Sequence, residues 1–260
     1  MKVSRMIFVA ASLAVSVLLA QQVQAAELFA GRHQGTQLGR IDTTGPTGTT
    51  IGSPGVTINS LAYDAASDTL YGTTGAPSTS GLHVLNQTDG SITSTVDVSL
   101  SWITALAWDN NLNTLWGNGG GGINKIDPSN GDTSDFVSVT PRIDGLAYGN
   151  GTLWGLDETG PVFAINTSNG NTTLLADLGL PSTGAGLAYD VDTDRLYVGT
   201  VNVPTILLEV NPNDGTFTSL GTVTGGIGRT DALAPTVIPE PASLALLGLG
   251  GLMMLRRRRA

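Results

Sequence analysis

The chain of 260 residues has no cysteine, two histidines and only 12 lysine and arginine residues. The missing thiols exclude a disulfide framework, a thiolate metal site and a cysteine nucleophile. His33 and His83 alone cannot build a multi-histidine metal centre. Charge is scarce as well: charged side chains make up 13% of the sequence, about half the ~25% of ordinary globular domains. The surface must therefore be polar through Ser, Thr, Asn and Gly. Half of the basic residues sit at the two ends of the chain. Between residues 26 and 235, six of them (Arg32, Arg40, Lys125, Arg142, Arg195, Arg229) face 20 acidic residues, a net charge of −14. Nucleic acid is thereby excluded as a partner, because a phosphate-binding face needs clustered Lys and Arg. No sustained apolar 3.6-residue periodicity occurs in that stretch, so almost no helix is expected there.

The two ends read as addresses. Lys2 and Arg5 form a charged leader, and residues 6–20 are an uninterrupted apolar or small-residue run. Val23-Gln24-Ala25 supplies small residues at −3 and −1, so residues 1–25 read as a secretory signal cleaved after Ala25. At the other end Ile238-Pro239-Glu240-Pro241 precedes the apolar run 242–255, which ends in Arg256-Arg257-Arg258-Arg259. Fourteen helical residues reach about 21 Å, short of the roughly 30 Å hydrocarbon core, but long arginine side chains snorkel and extend that reach. Four arginines after an apolar helix hold that end in the cytoplasm and leave what precedes it outside. The order Pro-Glu-Pro, apolar helix and arginine cluster resembles the PEP-CTERM sorting signal of exported bacterial proteins. That resemblance implies a Gram-negative host, a transient membrane anchor, and an exosortase-type membrane protease that cuts near Pro239-Glu240-Pro241. The family's usual Val before the first Pro is here Val237-Ile238.

The middle is one motif repeated. Leu61-Ala62-Tyr63-Asp64 recurs as Leu106-Ala107-Trp108-Asp109, Leu146-Ala147-Tyr148-Gly149 and Leu187-Ala188-Tyr189-Asp190, at intervals of 45, 40 and 41 residues. A second phrase follows each copy after a polar turn: Thr69-Leu70-Tyr71-Gly72, Thr114-Leu115-Trp116-Gly117, Thr152-Leu153-Trp154-Gly155 and Arg195-Leu196-Tyr197-Val198. A third ends in Asn or Asp before a Gly-containing turn, as in His83-Val84-Leu85-Asn86 and Asn124-Lys125-Ile126-Asp127. Fourth segments cover 92–98, 135–139, 172–178 and 217–223. Each unit is thus four short alternating strands rich in Leu, Ile, Val, Tyr and Trp. A four-stranded unit of about 42 residues, repeated, is the signature of a β-propeller blade.

The ends of the repeat array complete one another. Glu27-Leu28-Phe29-Ala30 matches a second strand, Leu38 to Asp42 a third and Thr49-Thr50-Ile51 a fourth, with no first strand before them. After the last full repeat, Thr230-Asp231-Ala232-Leu233-Ala234 matches a first strand and stops. The expectation is an all-β, five-bladed propeller over residues 26–235, closed by sharing N- and C-terminal strands, with the sorting segment at 236–260. An open β-solenoid is the alternative. The pattern resembles secreted bacterial propellers of quinoprotein-like and lactonase-like appearance, a likeness that bears on fold rather than activity.

Groups able to do chemistry are few. His83 opens a third strand in the register of the other blades and reads as structural; His33 stands in a polar loop with no partner specified. Paired carboxylates for glycoside cleavage would draw on Asp157, Glu158, Glu27 or Glu209. Glu27 and Glu209 are expected to be solvated, and Asp157-Glu158 to cap a turn. Asp190, Asp192 and Asp194 are spaced as in a calcium loop, yet Arg195 and Val201 stand where an EF-hand needs Gly and Glu. An ordinary hairpin turn is the simpler reading, with calcium the one cofactor to consider. Gly119 to Gly122 form an inter-strand turn, since no helix or Lys-Ser/Thr follows. Trp108, Trp116 and Trp154 fall at blade-packing positions, whereas Trp102 precedes a first strand near a rim and is the residue expected to meet a carbohydrate. With no catalytic set, the expectation is an exported, non-enzymatic surface or matrix protein that acts on extracellular polysaccharide by binding. The rival is a lactonase- or lyase-like propeller enzyme with carboxylates or a metal in its central channel.

Overall fold

The computed structural model describes residues 26–32, 34–75, 80–180, 185–201 and 204–236. The chain opens with β1 (Glu27–Arg32), β2 (Leu38–Asp42) and β3 (Thr47–Gly52). A second group follows: β4 (Ser60–Asp64), β5 (Thr69–Thr74), β6 (Ser80–Leu85) and β7 (Ile92–Val98). The third comprises β8 (Leu106–Asp109), β9 (Thr114–Gly119), β10 (Gly122–Ile126) and β11 (Thr133–Ser138). The fourth comprises β12 (Gly145–Gly149), β13 (Thr152–Leu156), β14 (Pro161–Ile165) and β15 (Thr172–Asp177). In the fifth, β16 (Ala185–Asp190), β17 (Arg195–Thr200), β18 (Ile206–Val210) and β19 (Phe217–Thr222) precede β20 (Thr224–Gly225) and β21 (Thr230–Pro235). Each group is an antiparallel meander, and β21 joins β1–β3 to make the fifth sheet. The fold is a five-bladed β-propeller, with blade I formed by β21-β1-β2-β3 and blades II to V by the four groups in order. No helix occurs among the described residues. Three fourth strands end one residue earlier than the sequence pattern predicts, and that of blade III also begins two earlier, directly after its turn.

Closure runs as the repeat count requires. β21 pairs antiparallel with β1 through Leu28↔Pro235, Phe29↔Ala234 and Ala30↔Leu233. The last of the described strands therefore becomes the innermost strand of the first blade. One element has no precedent in the pattern: β20 adds to the outer edge of blade I, parallel to β3, through Thr224↔Thr47 and Gly225↔Gly48.

The Leu-Ala-aromatic phrase explains why blades stack. Side chains alternate along a strand, so the leucine and the aromatic face one neighbour and the alanine faces the other. Ala62 and Tyr71 of blade II pack with Leu106 and Trp108 of blade III. Ala107 and Trp116 meet Leu146 and Tyr148, and Ala147 and Trp154 meet Leu187 and Tyr189. Ala188 and Tyr197 meet Leu233, and Phe29 with Ala232 meets Leu61 and Tyr63. Five clusters fill five seams. Ring contacts tighten two of them, with Phe29–Tyr63 and Tyr71–Trp108 centroids each 5.7 Å apart.

Outer turns repeat one device. Asn86, Asp127, Asn166 and Asn211 each accept the amide two residues on at 2.8–3.0 Å, the side-chain mimic of a backbone turn. The glycine that follows sits at φ between +73° and +78° in four blades (Gly90, Gly131, Gly170, Gly215), a region L side chains avoid. It also lies against the preceding blade: a Cβ on Gly131 would fall 2.0 Å from the Asp97 carbonyl oxygen, and one on Gly170 2.0 Å from that of Ser138.

Candidate functional site

Five innermost strands (β4, β8, β12, β16, β21) surround the axis, and their C-terminal ends open into a cavity of about 640 Å³. Its floor is the ring Leu61, Leu106, Leu146, Leu187 and Leu233 with the following alanines. Tyr63, Trp108, Tyr148 and Tyr189 form its wall, and Asn110, Asn111, Asn150 and Asp192 its rim. At the other end, among Ser60, Thr104, Asp144 and Asp231, the channel narrows to a space of about 10 Å³. The site is a blind funnel of ligand-pocket size.

First-to-second strand turns shape the rim. The Asp64 carboxylate accepts the Ala66 amide at 2.9 Å and the Ser67 hydroxyl at 2.5 Å. Asp109 accepts the amides of Asn111 and Leu112 at 2.9 and 3.0 Å, and the Trp116 indole N–H at 3.3 Å. Asp190 repeats this with the Asp192 amide at 3.1 Å and the Thr193 hydroxyl at 2.7 Å. Blade IV departs. Gly149 stands in place of Asp because a Cβ there would lie 2.0 Å from the Tyr189 ring.

The wall phenols are held in their protonated form. Tyr63 donates to Asp68 at 2.6 Å and Tyr189 to Asp194 at 2.7 Å. Burial first, then these carboxylates, push both phenols well above their usual range. The same bonds, with Gln87 on Asp68 and Asn213 on Asp194, hold the two carboxyls below theirs. Tyr148 instead accepts from Asn111 of blade III at 2.9 Å, and burial followed by the Asp109 charge raises it. The funnel thus presents apolar surface, neutral phenols and amides, with the exposed Asp192 carboxylate at its rim.

Trp102 does not line this cavity. It lies 55% exposed in the β7–β8 connection, at φ +53°, and β8 runs from there to the rim, so the indole stands on the opposite face. Trp108, Trp116 and Trp154 are buried in blade seams. Asp190, Asp192 and Asp194 are not brought together: Asp190 closes its turn, while Asp194 receives Tyr189, Asn150 and Asn213. Among the described residues no group of three or more His, Asp or Glu could hold a metal ion. His83 is buried between the hydroxyls of Thr74 (3.1 Å) and Thr95 (2.8 Å), and burial lowers its pKa. Asp157 caps its turn on Thr159 at 2.9 Å. Glu27 and Glu209 are not simply solvated, since Glu27 pairs with Arg40 at 2.9 Å and Glu209 with Arg195 at 3.3 Å. His33, Ala25 and residues 237–260 lie outside the described residues.

The funnel itself gave no sequence signal, because its leucines and alanines read as ordinary core. Only their fivefold recurrence on the innermost strands marks it.

By fold the chain is similar to other β-propellers. It aligns with a chain of a nidogen/laminin complex at 17% identity over 81% of each chain (TM-score 0.53). A protein of unknown function from Bacteroides thetaiotaomicron aligns at 14% identity over 78% of this chain and 59% of that one (TM-score 0.51). Glutaminyl cyclase of Myxococcus xanthus aligns at 14% identity over 70% and 77% (TM-score 0.50). Likenesses at such identities extend to architecture alone. No curated protein matches the chain. Residues 237–259 match the PEP-CTERM protein-sorting motif. This motif marks an exported protein sorted by an exosortase, itself a membrane protein. Among the described residues no helix is long and apolar enough to cross a membrane.

Proposed function

We propose that the protein is a cell-surface or extracellular-matrix propeller that acts by binding, with its central funnel as the binding site. The observation that carries this reading is the funnel's lining. Its leucines and alanines offer an apolar floor, its phenols and asparagines offer neutral hydrogen-bonding groups, and its inner carboxylates are engaged in closing turns. That chemistry suits the end of a neutral glycan, whose C–H faces pack on apolar and aromatic surface while its hydroxyls meet amides. The acidic surface disfavours anionic polymers. The sorting motif at residues 237–259 supports a role outside the cell, where a neutral glycan would be met.

Calorimetric titration of the folded domain with neutral oligosaccharides from the host's matrix tests this. Wild type should bind, and Asn111→Ala, which removes the rim amide bound to Tyr148, should weaken binding about 5- to 10-fold, the ~1–1.5 kcal/mol of one hydrogen bond. Unchanged affinity in that variant would move the site elsewhere. A stoichiometric metal ion retained through dialysis would favour the enzyme reading instead.

A further inference from the structure

We infer that the funnel face is turned to the bilayer in the membrane-held precursor and is uncovered when the sorting segment is cut; this rests on the sorting reading above. Thr236 lines the funnel and is fixed there, its amide and hydroxyl both donating to the Glu27 carbonyl at 3.1 and 2.8 Å. The chain thus leaves the ring beside its axis, on the funnel face. Only five residues, Val237 to Pro241, separate Thr236 from the apolar run beginning at Ala242. At ~3.6 Å per residue that tether reaches about 20 Å.

To present the opposite face to the membrane, the tether would first have to cross the blade. Three inter-strand spacings of ~4.8 Å lead outward, and a strand of five or six residues spans ~17–20 Å downward. The path exceeds 30 Å before it turns back beneath the ring. A passage through the axis is closed by the narrow end at Ser60, Thr104, Asp144 and Asp231. The length excludes presentation of the opposite face, and the exit of the chain beside the axis favours the funnel face.

Charge makes the apposition reversible. The turns on the funnel face expose Asp68, Asp89, Asp127, Asp132, Asp192 and Asp214, and carboxylates repel an anionic leaflet. Arg195, the basic residue that adjoins one of these turns, is paired with Glu209 at 3.3 Å, so once the tether is cut the repelling carboxylates release this face and the funnel opens to its ligand. A ligand too large to slip beneath the domain is therefore bound only after processing.

The absence of cysteine makes the test direct. Single Asn110→Cys (funnel rim) and Thr159→Cys (the β13–β14 turn on the opposite face) variants of the full chain are made with a protease recognition site between Thr236 and Ala242. Their labelling by a bulky, membrane-impermeant maleimide is followed in membranes before and after cutting. The rim cysteine should label at least tenfold more slowly than the opposite one before cleavage, and at the same rate after it. Inserting about 30 Gly/Ser residues after Thr236, which adds roughly 30 Å of reach, should abolish the difference without cleavage. Equal labelling before cleavage, or protection that persists with the long linker, overturns the inference. If the protein recovered from its native host retains residues 242–260 by mass spectrometry, the sorting reading and the uncovering step fail, while the orientation stands or falls on the labelling alone.

Discussion

Trp116 and Trp154 occupy equivalent positions on the second strands of adjacent blades and differ in one atom's surroundings. The Trp116 indole N–H reaches the Asp109 carboxylate at 3.3 Å. In blade IV that carboxylate is replaced by Gly149, and the buried Trp154 indole nitrogen has no hydrogen-bond partner among the described residues. The cause lies one blade further on, since the Tyr189 ring fills the place a Gly149 side chain would take. An unpaired buried donor costs about 1–3 kcal/mol. Trp154→Phe removes that cost along with some packing, whereas Trp116→Phe strips a bond from Asp109, a carboxylate 2% exposed. Urea denaturation should therefore find Trp116→Phe less stable than Trp154→Phe by about 1–2 kcal/mol. Equal losses would mean that the Asp109 bond contributes nothing. Exposed Trp102 belongs to neither set, which explains why a residue-by-residue reading singled it out. Its exposure follows from its loop, and nothing in its sequence neighbourhood says which end of the channel opens.

At the level of strands and turns, the repeat made nearly everything legible. Leucine-alanine-aromatic phrases put first strands where they are found, and Asx-led turns fixed the outer hairpins. β20 was not legible, because Thr224-Gly225 carries no alternation of its own. Its pairing is imposed by the position of β3 across the closing seam. That seam is also where the turn device changes. In blades II to V a glycine at positive φ lies against the preceding blade, but Gly45 of blade I has nothing within 4 Å of its Cβ position, and β20 fills the outer seam instead. Gly131→Ala should destabilise the domain by at least about 2 kcal/mol, from the positive φ (~1–2 kcal/mol) and the clash with a backbone oxygen that cannot rotate away. Gly45→Ala should stay within about 0.5 kcal/mol of wild type. Thermal melts of the two variants measure both. Similar melting temperatures would show that outer turns do not bear on blade contacts.

For the molecule as a whole, ring integrity rests on non-covalent closure. Chains ending at Gly228 lose β21, hence the ladder to β1 and two seams at once. Burial of Leu233 alone contributes roughly 1.5–3 kcal/mol, and some four ladder bonds add about 0.5–1.5 kcal/mol each. Together these rival the ~5–15 kcal/mol that stabilises a typical domain. A chain ending at Gly228 should be insoluble or melt far below one ending at Thr236, and coincident melts would refute closure through β21. The partnership has a temporal side. Leu28 waits for Pro235, about 200 residues later, and closing so long a loop costs about 5 kcal/mol in chain entropy. Synthesis from the N-terminus makes β21 the last of the described strands, with the sorting segment immediately behind it. Blade I stays without its inner strand until β21 is in place. The order of the strands thus makes ring closure a late step: blade I is completed only by the strand nearest the sorting motif.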